Sequence, residues 1–282
     1  MFEEPYSLSR VFEDAERHRE VAQIIVRHRS DECDIRDRAL ENTNLQDVKD
    51  ILDLGCGFGF FTETLQGRTG NEARLTGIDL FGKYEGPFLE SCLRSGFRGD
   101  FLSDGAGVIS NFQDDSFDLV LSSYAIYFFP GVLPDIARIL KPSGIFIAIT
   151  HIVPHMKEFT SYIRNILYKS GVNPKVDLPY ETLIDRFSDR SAPPLLKPHF
   201  RKINVKKCRA ELSFGKDDQE DLIKYFNFKE SFFIPPAFDP KGRLHRQVLT
   251  RIRNDLDGNT KLRITKDDII FICKEPLKKE NA

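Results

Sequence analysis

The stretch Ile51-Leu52-Asp53-Leu54-Gly55-Cys56-Gly57-Phe58-Gly59-Phe60 constrains this chain more than any other. A short apolar run suited to a buried strand enters three glycines at alternate positions, and Phe60, Phe61 and Leu65 then supply an apolar stripe at helical spacing. Gly55, Gly57 and Gly59 permit positive φ and let a ligand lie against bare backbone. The segment therefore reads as strand, glycine turn and helix, with unpaired N–H groups at the helix start suited to the polar tail of a nucleotide-like ligand. A dinucleotide fingerprint has the spacing G-x-G-x-x-G, whereas here the third glycine comes one place early and Phe60 stands in its slot. Asp53, two residues before the first glycine, would repel a pyrophosphate but suits an amine, directly or through water. The expected ligand carries a positive charge.

Further segments follow in a fixed order. Leu75-Thr76-Gly77-Ile78-Asp79-Leu80 reads as a second strand ending in an acid. Ser116-Phe117-Asp118-Leu119-Val120-Leu121-Ser122-Ser123 reads as a later strand, and Ile139-Leu140-Lys141-Pro142-Ser143-Gly144 as a turn into Ile145–Ile149. Together with the glycine turn, these segments resemble the motifs of the class I S-adenosylmethionine (SAM) dependent methyltransferases, over about residues 48–150. Ser143 replaces one glycine of that family's "LKPGG" turn, which is rare in NAD folds. The resemblance implies SAM as cofactor and S-adenosylhomocysteine as product. Its implied cofactor set is Asp53, Gly55, Cys56, Gly57, Gly59, Asp79, Leu80, Asp104, Gly105 and Ser122, with Asp79 accepting both ribose hydroxyls and Ser122 under the methionine part. For the adenine-contacting acid, Asp104 fits the family's spacing better than Asp100, although Gly105 to Asn111 then holds about two extra residues.

The implied fold is α/β: a Rossmann-like, doubly wound, mostly parallel seven-stranded sheet with an antiparallel edge strand and a helical lid insertion. Three regions are expected: an N-terminal helical cap over 1–47, a SAM-binding core over 48–150, and a lid and substrate region with the final strands over 151–282. Leu8, Val11, Phe12, Ala15, Ala22 and Ile25 recur at helical spacing, predicting a helix over about 8–28. Beyond the core, helices are expected from Phe159 to Gly171, Glu181 to Phe187, Asp217 to Phe226 and Lys241 to Asp255. Ala192 to His199 reads as a proline-rich loop, Lys202 to Val205 as an edge strand and Ile269 to Cys273 as the last strand. About sixty residues separate those two strands, where the family has a short connection, so a helical insertion is expected between them.

At 282 residues and 40% hydrophobic, the chain can build a sizeable core. No apolar run reaches the ~20 residues of a membrane span, and the start Met1-Phe2-Glu3-Glu4-Pro5 lacks the pattern of a signal peptide, so a cytoplasmic protein is expected. Five cysteines without a CxxC pair point to reduced thiols rather than to a metal or a disulfide framework. Residues 1–150 hold 15 Lys+Arg against 25 Asp+Glu, and residues 151–282 hold 26 against 18, net charges of −10 and +8. The basic half, densest at Lys197, Arg201, Lys202, Lys206, Lys207 and Arg209, either attracts a neutral or anionic acceptor or forms a solvated strand face.

Methyl transfer is an in-line displacement on an activated sulfonium, so positioning dominates and no universal catalytic residue is expected. Where the acceptor must lose a proton, the candidates are His151, just past the fifth strand, and His155. The substrate-facing candidates are Tyr6, Tyr124 and Tyr127. The chain lacks the [DNS]-P-P-[YFW] element of DNA amino-methylating enzymes and the Pro-Cys pair of cytosine-C5 enzymes, so nucleic acid is disfavoured as acceptor. The expected activity is methylation of O or N on a small molecule. The alternatives are an RNA or protein methyltransferase, a non-catalytic SAM-binding protein and, last, a nicotinamide oxidoreductase.

Overall fold

In a computed structural model of the chain, residues 11–30, 34–70, 72–171, 178–234, 239, 241–258 and 261–278 are described. In chain order the main elements are α1 (Ala15–His28), α2 (Ile35–Leu40), β1 (Asp50–Leu54), α3 (Thr62–Leu65), β2 (Arg74–Ile78), α4 (Glu85–Arg94) and β3 (Arg98–Leu102). They continue with β4 (Phe117–Ser123), α5 (Leu133–Ile139), β5 (Leu140–His151), α6 (Lys157–Lys169), α7 (Pro179–Asp185), α8 (Ala192–Leu196) and β6 (Phe200–Cys208). The last are β7 (Glu211–Phe214), α9 (Gln219–Phe233), α10 (Arg243–Asp257), β8 (Leu262–Thr265) and β9 (Asp268–Pro276). The chain forms two compact units, one of residues 33–153, 185–208 and 268–282, the other of residues 1–32, 154–184 and 209–267.

The first unit is built on a seven-stranded sheet of order β3-β2-β1-β4-β5-β9-β6. Strands β1 to β5 pair in parallel, and β9 runs antiparallel to both of its neighbours, one place in from the edge strand β6. Parallel strands covered on both faces read as continuous apolar runs, and Ile51, Leu52 and Leu54 of β1, Leu119 to Leu121 of β4 and Phe146 to Ile149 of β5 are all fully buried. At the end of the sheet opposite the glycine turn, Lys141 Nζ lies 2.9 Å from both Asp50 and Asp118, while Asp118 accepts the Lys49 and Asp50 amides. Burial alone would raise the Asp118 carboxyl, but these donors hold it below its usual range. The lysine of the Leu-Lys-Pro-Ser-Gly segment thus clamps β1, β4 and β5 together, and the segment itself is already part of β5.

Ala192 to Leu196 is a short helix rather than a loop. Its prolines occupy the first helical turn, where a missing N–H costs nothing. On β6 only Phe200 and Cys208 are buried. Lys202 pairs with Glu275, and Lys206 donates to the Arg38 and Glu41 carbonyls. Charged side chains are what keep an exposed edge from pairing with other chains.

The second unit is mainly helical. Helix α1 is capped by Asp14, which accepts from the Arg17 amide at 3.0 Å, and buries Val21 and Ile24. Leu8 and Tyr6 lie outside the described residues. Helix α9 supplies Leu222, Ile223, Tyr225, Phe226, Phe228, Phe232 and Phe233 to the core, and α6 supplies Phe159, Ile163 and Leu167. His28 Nε2 lies 2.8 Å from Asp221 and joins α1 to α9. Strands β7 and β8 form a small antiparallel pair that the sequence reading did not anticipate. Among the described residues no helix is long and apolar enough to cross a membrane.

Because β9 lies between β5 and β6, its buried residues carry the closing edge of the sheet. Phe271 is fully buried, with Phe187 edge-on at 5.9 Å. Phe271→Ala is expected to cost ~3–5 kcal/mol, from lost transfer energy and the cavity left behind, read as a lower denaturant midpoint in equilibrium unfolding.

Candidate cofactor and active site

The candidate site lies in the first unit at the carboxyl ends of β1, β2, β4 and β5. Leaving β1, the chain turns with φ of 75°, 51° and 85° at Gly55, Gly57 and Gly59. A Cβ on Gly55 would sit 2.3 Å from Ala125 Cβ, so glycine there is required by contact as well as by φ. The Gly55 and Cys56 amides both donate to the Ile78 carbonyl, at 2.8 and 3.1 Å, the Gly59 amide donates to the Cys56 carbonyl, and the Gly57 amide donates to Asp79 Oδ2 at 2.9 Å. These amides are committed to protein acceptors rather than gathered into a phosphate-binding nest. The helix beyond, α3, is a single turn beginning at Thr62, because the chain continues in turns from Gly57 to Phe61. The expected contribution of a helix start to ligand binding is therefore small.

Two acids stand beside the turn. Asp53 is 2% exposed, and burial followed by the charge of Asp79 pushes its carboxyl up to about 7. Asp79, just past β2, is also raised by burial, against the opposing backbone donors of Phe81, Gly57 and Leu80. Its Oδ1 accepts from the Phe81 amide at 3.1 Å. Each carboxylate oxygen has a second lone pair for a ligand hydroxyl. A pair of acids whose carboxyls are both raised by burial is stabilised by an incoming cation and would be destabilised by an incoming phosphate.

The other predicted cofactor residues distribute as follows. Cys56 is buried, its thiol raised by burial, and packs in the core with Cys92. Cys92, Cys208 and Cys273 are likewise buried, while Cys33 lies outside the described residues. Leu80 is half-exposed, and a Cβ on Gly105 would come within 3.3 Å of it, so the ends of β2 and β3 meet there. Asp104 is exposed just beyond β3, whereas Asp100 lies within that strand, paired with Arg74. Ser122 is buried and donates to the Leu54 carbonyl at 3.0 Å, which ties β4 to β1 directly beneath the glycine turn.

Beyond β4 stands an aromatic and acidic group. Tyr124 adopts φ of 55°, a left-handed conformation that costs a bulky residue ~1–3 kcal/mol. Its amide donates to the Ile149 carbonyl at 2.8 Å, and its hydroxyl donates to Asp268 Oδ2 at 2.8 Å. His151, the last residue of β5, places Nδ1 2.7 Å from Asp268 Oδ1. Tyr124 and Tyr127 both stack on the His151 ring, with centroids at 5.0 and 5.9 Å. The Tyr127 phenol is pushed far above its usual range by burial and by the charge of Asp268. Phe60 tilts against Tyr124 and carries the Arg36 guanidinium over its ring at 4.9 Å.

His155 belongs to the second unit, where its Nδ1 pairs with the Tyr180 hydroxyl. Within the first unit, the structure brings His151, Tyr124 and Tyr127 together. It adds Asp268, which the sequence reading missed because an acid opening the last strand resembles any solvated strand end. Its one signal was the buried run Ile269–Cys273 immediately after it.

Comparison with known proteins agrees with this geometry. Residues 52–148 match the family described as "Methyltransferase domain". The Bacillus pumilus demethylmenaquinone methyltransferase is 27% identical over 128 residues, covering 44% of this chain and 54% of that protein, so the chain spans about half the length of that curated relative. Two solved structures share the fold. A candidate methyltransferase of Bacillus halodurans aligns over 86% of this chain and 99% of its own, with a TM-score of 0.53 and 12% identity. The YcgJ protein of Bacillus subtilis aligns over 94% of this chain and 100% of its own, with a TM-score of 0.50 and 15% identity. Residues 52–148 thus match a methyltransferase domain and lie on a Rossmann-like sheet, and methyltransferases of this type use S-adenosylmethionine as cofactor.

Proposed function

We propose that this protein is a SAM-dependent methyltransferase that acts on an oxygen or nitrogen of a small-molecule acceptor, neutral or anionic. The observation that carries the proposal is the acid pair Asp53 and Asp79 beside a glycine turn whose amides are already spent. That arrangement suits a cationic ligand with a ribose better than a pyrophosphate. In this reading Asp79 accepts the ribose hydroxyls and Asp53 faces the amino end. Gly55, Cys56, Gly57 and Gly59 give the ligand close access to backbone, and Leu80, Asp104 and Gly105 border the adenine, with Ser122 beneath the methionine part.

When bound, SAM supplies a methyl group on a positive sulfur, whose carbon–sulfur bond breaks as the acceptor bond forms. The protein's own contribution is placement, worth up to ~7–11 kcal/mol when the reacting atoms are held in line. Tyr124 and Tyr127 would flank the acceptor side, and His151 is the candidate proton acceptor. His155 remains a second candidate, and Tyr6 remains a proposed substrate contact.

Asp79→Ala should weaken S-adenosylhomocysteine binding ten- to a hundredfold, a loss of ~1.5–3 kcal/mol for charge-assisted hydrogen bonds. Isothermal calorimetry on both proteins measures it. Unchanged affinity in the folded variant would remove the ribose assignment, and tight NAD binding to the parent would overturn the cofactor assignment.

A second expectation concerns Asp53. Its native carboxyl titrates near 7, against ~3.9 in an unfolded chain, so between those values the native state holds more protons and stability falls as pH rises. Asp53→Asn should therefore raise the melting temperature of the ligand-free protein at pH 8, by at least ~3 °C for a gain of 1 kcal/mol or more. At pH 4.5 the gain should largely vanish. The same substitution should weaken S-adenosylhomocysteine binding at pH 8, since it removes the negative charge facing the amine.

A further inference from the structure

We propose that Asp268 is a positioning residue that commits His151 to the tautomer protonated on Nδ1, making Nε2 the base for an acceptor hydroxyl. The inference deepens the methyl-transfer reading and rests on it for the identity of the reaction. The geometry is fixed by the backbone. His151 and Asp268 are register partners where β5 and β9 pair antiparallel, so the two side chains leave the sheet together. Asp268 is fully buried and His151 is 4% exposed.

A carboxylate only accepts, so the 2.7 Å contact with Oδ1 places a proton on Nδ1. A neutral imidazole carries one N–H, which leaves Nε2 as its basic nitrogen. Oδ2 accepts the Tyr124 hydroxyl, so the carboxylate is gripped on both oxygens and held in one orientation. Tyr124 and Tyr127 lie against the ring at interplanar angles of 25° and 28°. Their electron-rich faces, with the carboxylate at the ring edge, favour the imidazolium that forms when Nε2 takes a proton. The Tyr127 phenol is held neutral by burial and by Asp268 and does not compete as a base.

The arrangement also selects an acceptor class. A carboxylate acceptor has no proton to lose, and a neutral amine attacks before it loses one. A hydroxyl is a weak nucleophile until its proton leaves, and only there does a positioned base act on the rate, typically by 10²–10⁴-fold. The hydroxyl proton passes to Nε2 as its oxygen takes the methyl group, and the imidazolium later returns that proton to solvent.

The test is the tautomer itself, read from imidazole ¹⁵N resonances of the labelled full-length protein with His151→Gln used for assignment. Wild type is expected to show a protonated Nδ1 and a bare Nε2 at His151, and the reverse pattern overturns the proposal. In the near-isosteric Asp268→Asn, the amide oxygen can take the Tyr124 hydroxyl while the amide N–H faces Nδ1, which moves the ring proton to Nε2. Tyr124→Phe should leave the tautomer as in wild type. A ring that stays protonated on Nδ1 in both Asp268→Asn and Asp268→Ala overturns the positioning role.

Calorimetry separates this from the cofactor reading. S-adenosylhomocysteine affinity should stay within about threefold in Asp268→Asn, and failure of wild type to bind it would sink the methyltransferase reading while leaving the tautomer result decisive. With labelled SAM, transfer is expected to alcohols or phenols and to fall at least a hundredfold in Asp268→Asn. Transfer confined to amines or carboxylates, or to no hydroxyl at all, overturns the acceptor class.

Discussion

The site depends on the approach of Gly55 to Ala125, whose methyl group already fills the space that a side chain at position 55 would need. That contact sets where the chain turns after β1, and the turn in turn fixes which amides meet Ile78 and Asp79. With those amides used internally, the site presents carboxylates to a ligand rather than N–H groups. The inverted polarity relative to a phosphate-binding turn follows from one steric fact and the acids on either side of it.

Keeping two acids in such a place carries a cost that the apolar sheet cannot relieve. Asp53 stands among Ile51, Leu52 and Leu54, all fully buried, and its raised carboxyl measures the penalty of that position. Functional sites commonly hold groups whose ionisation is displaced by burial and by a like charge. Here the displacement is toward the protonated form, and a cation placed beside the two acids would reverse it.

Much of this was legible in the chain. The strands β1, β4 and β5 are continuous apolar runs because both of their faces are covered, and the glycine turn stands out because only glycine serves there. The order of the motifs gave the sheet, and Asp79 followed from its position after β2. What escaped the reading was set by distant contacts. Strands β7 and β8 are four residues each, too short for a period to appear, and the prolines at the start of α8 signalled a loop when they mark a first helical turn. Asp268 acquires its meaning only from His151, 117 residues earlier in the chain. Most of the basic cluster lies on the edge strand β6, where Lys202 and Lys206 have local partners that the sequence pattern did not show.

The insertion of β9 between β5 and β6 has a bearing on synthesis. Strand β6 is made well before β9, yet it has no place in the sheet until β9 arrives, because β5 and β6 never touch as neighbours. Residues 209–267 must therefore emerge while β6 waits unpaired, a long-range closure of the kind that slows folding and leaves strand edges open to wrong partners. The same late strand brings Asp268. A chain without that strand lacks sheet closure and the His151 partner together, so the strand that completes the sheet also completes the pair.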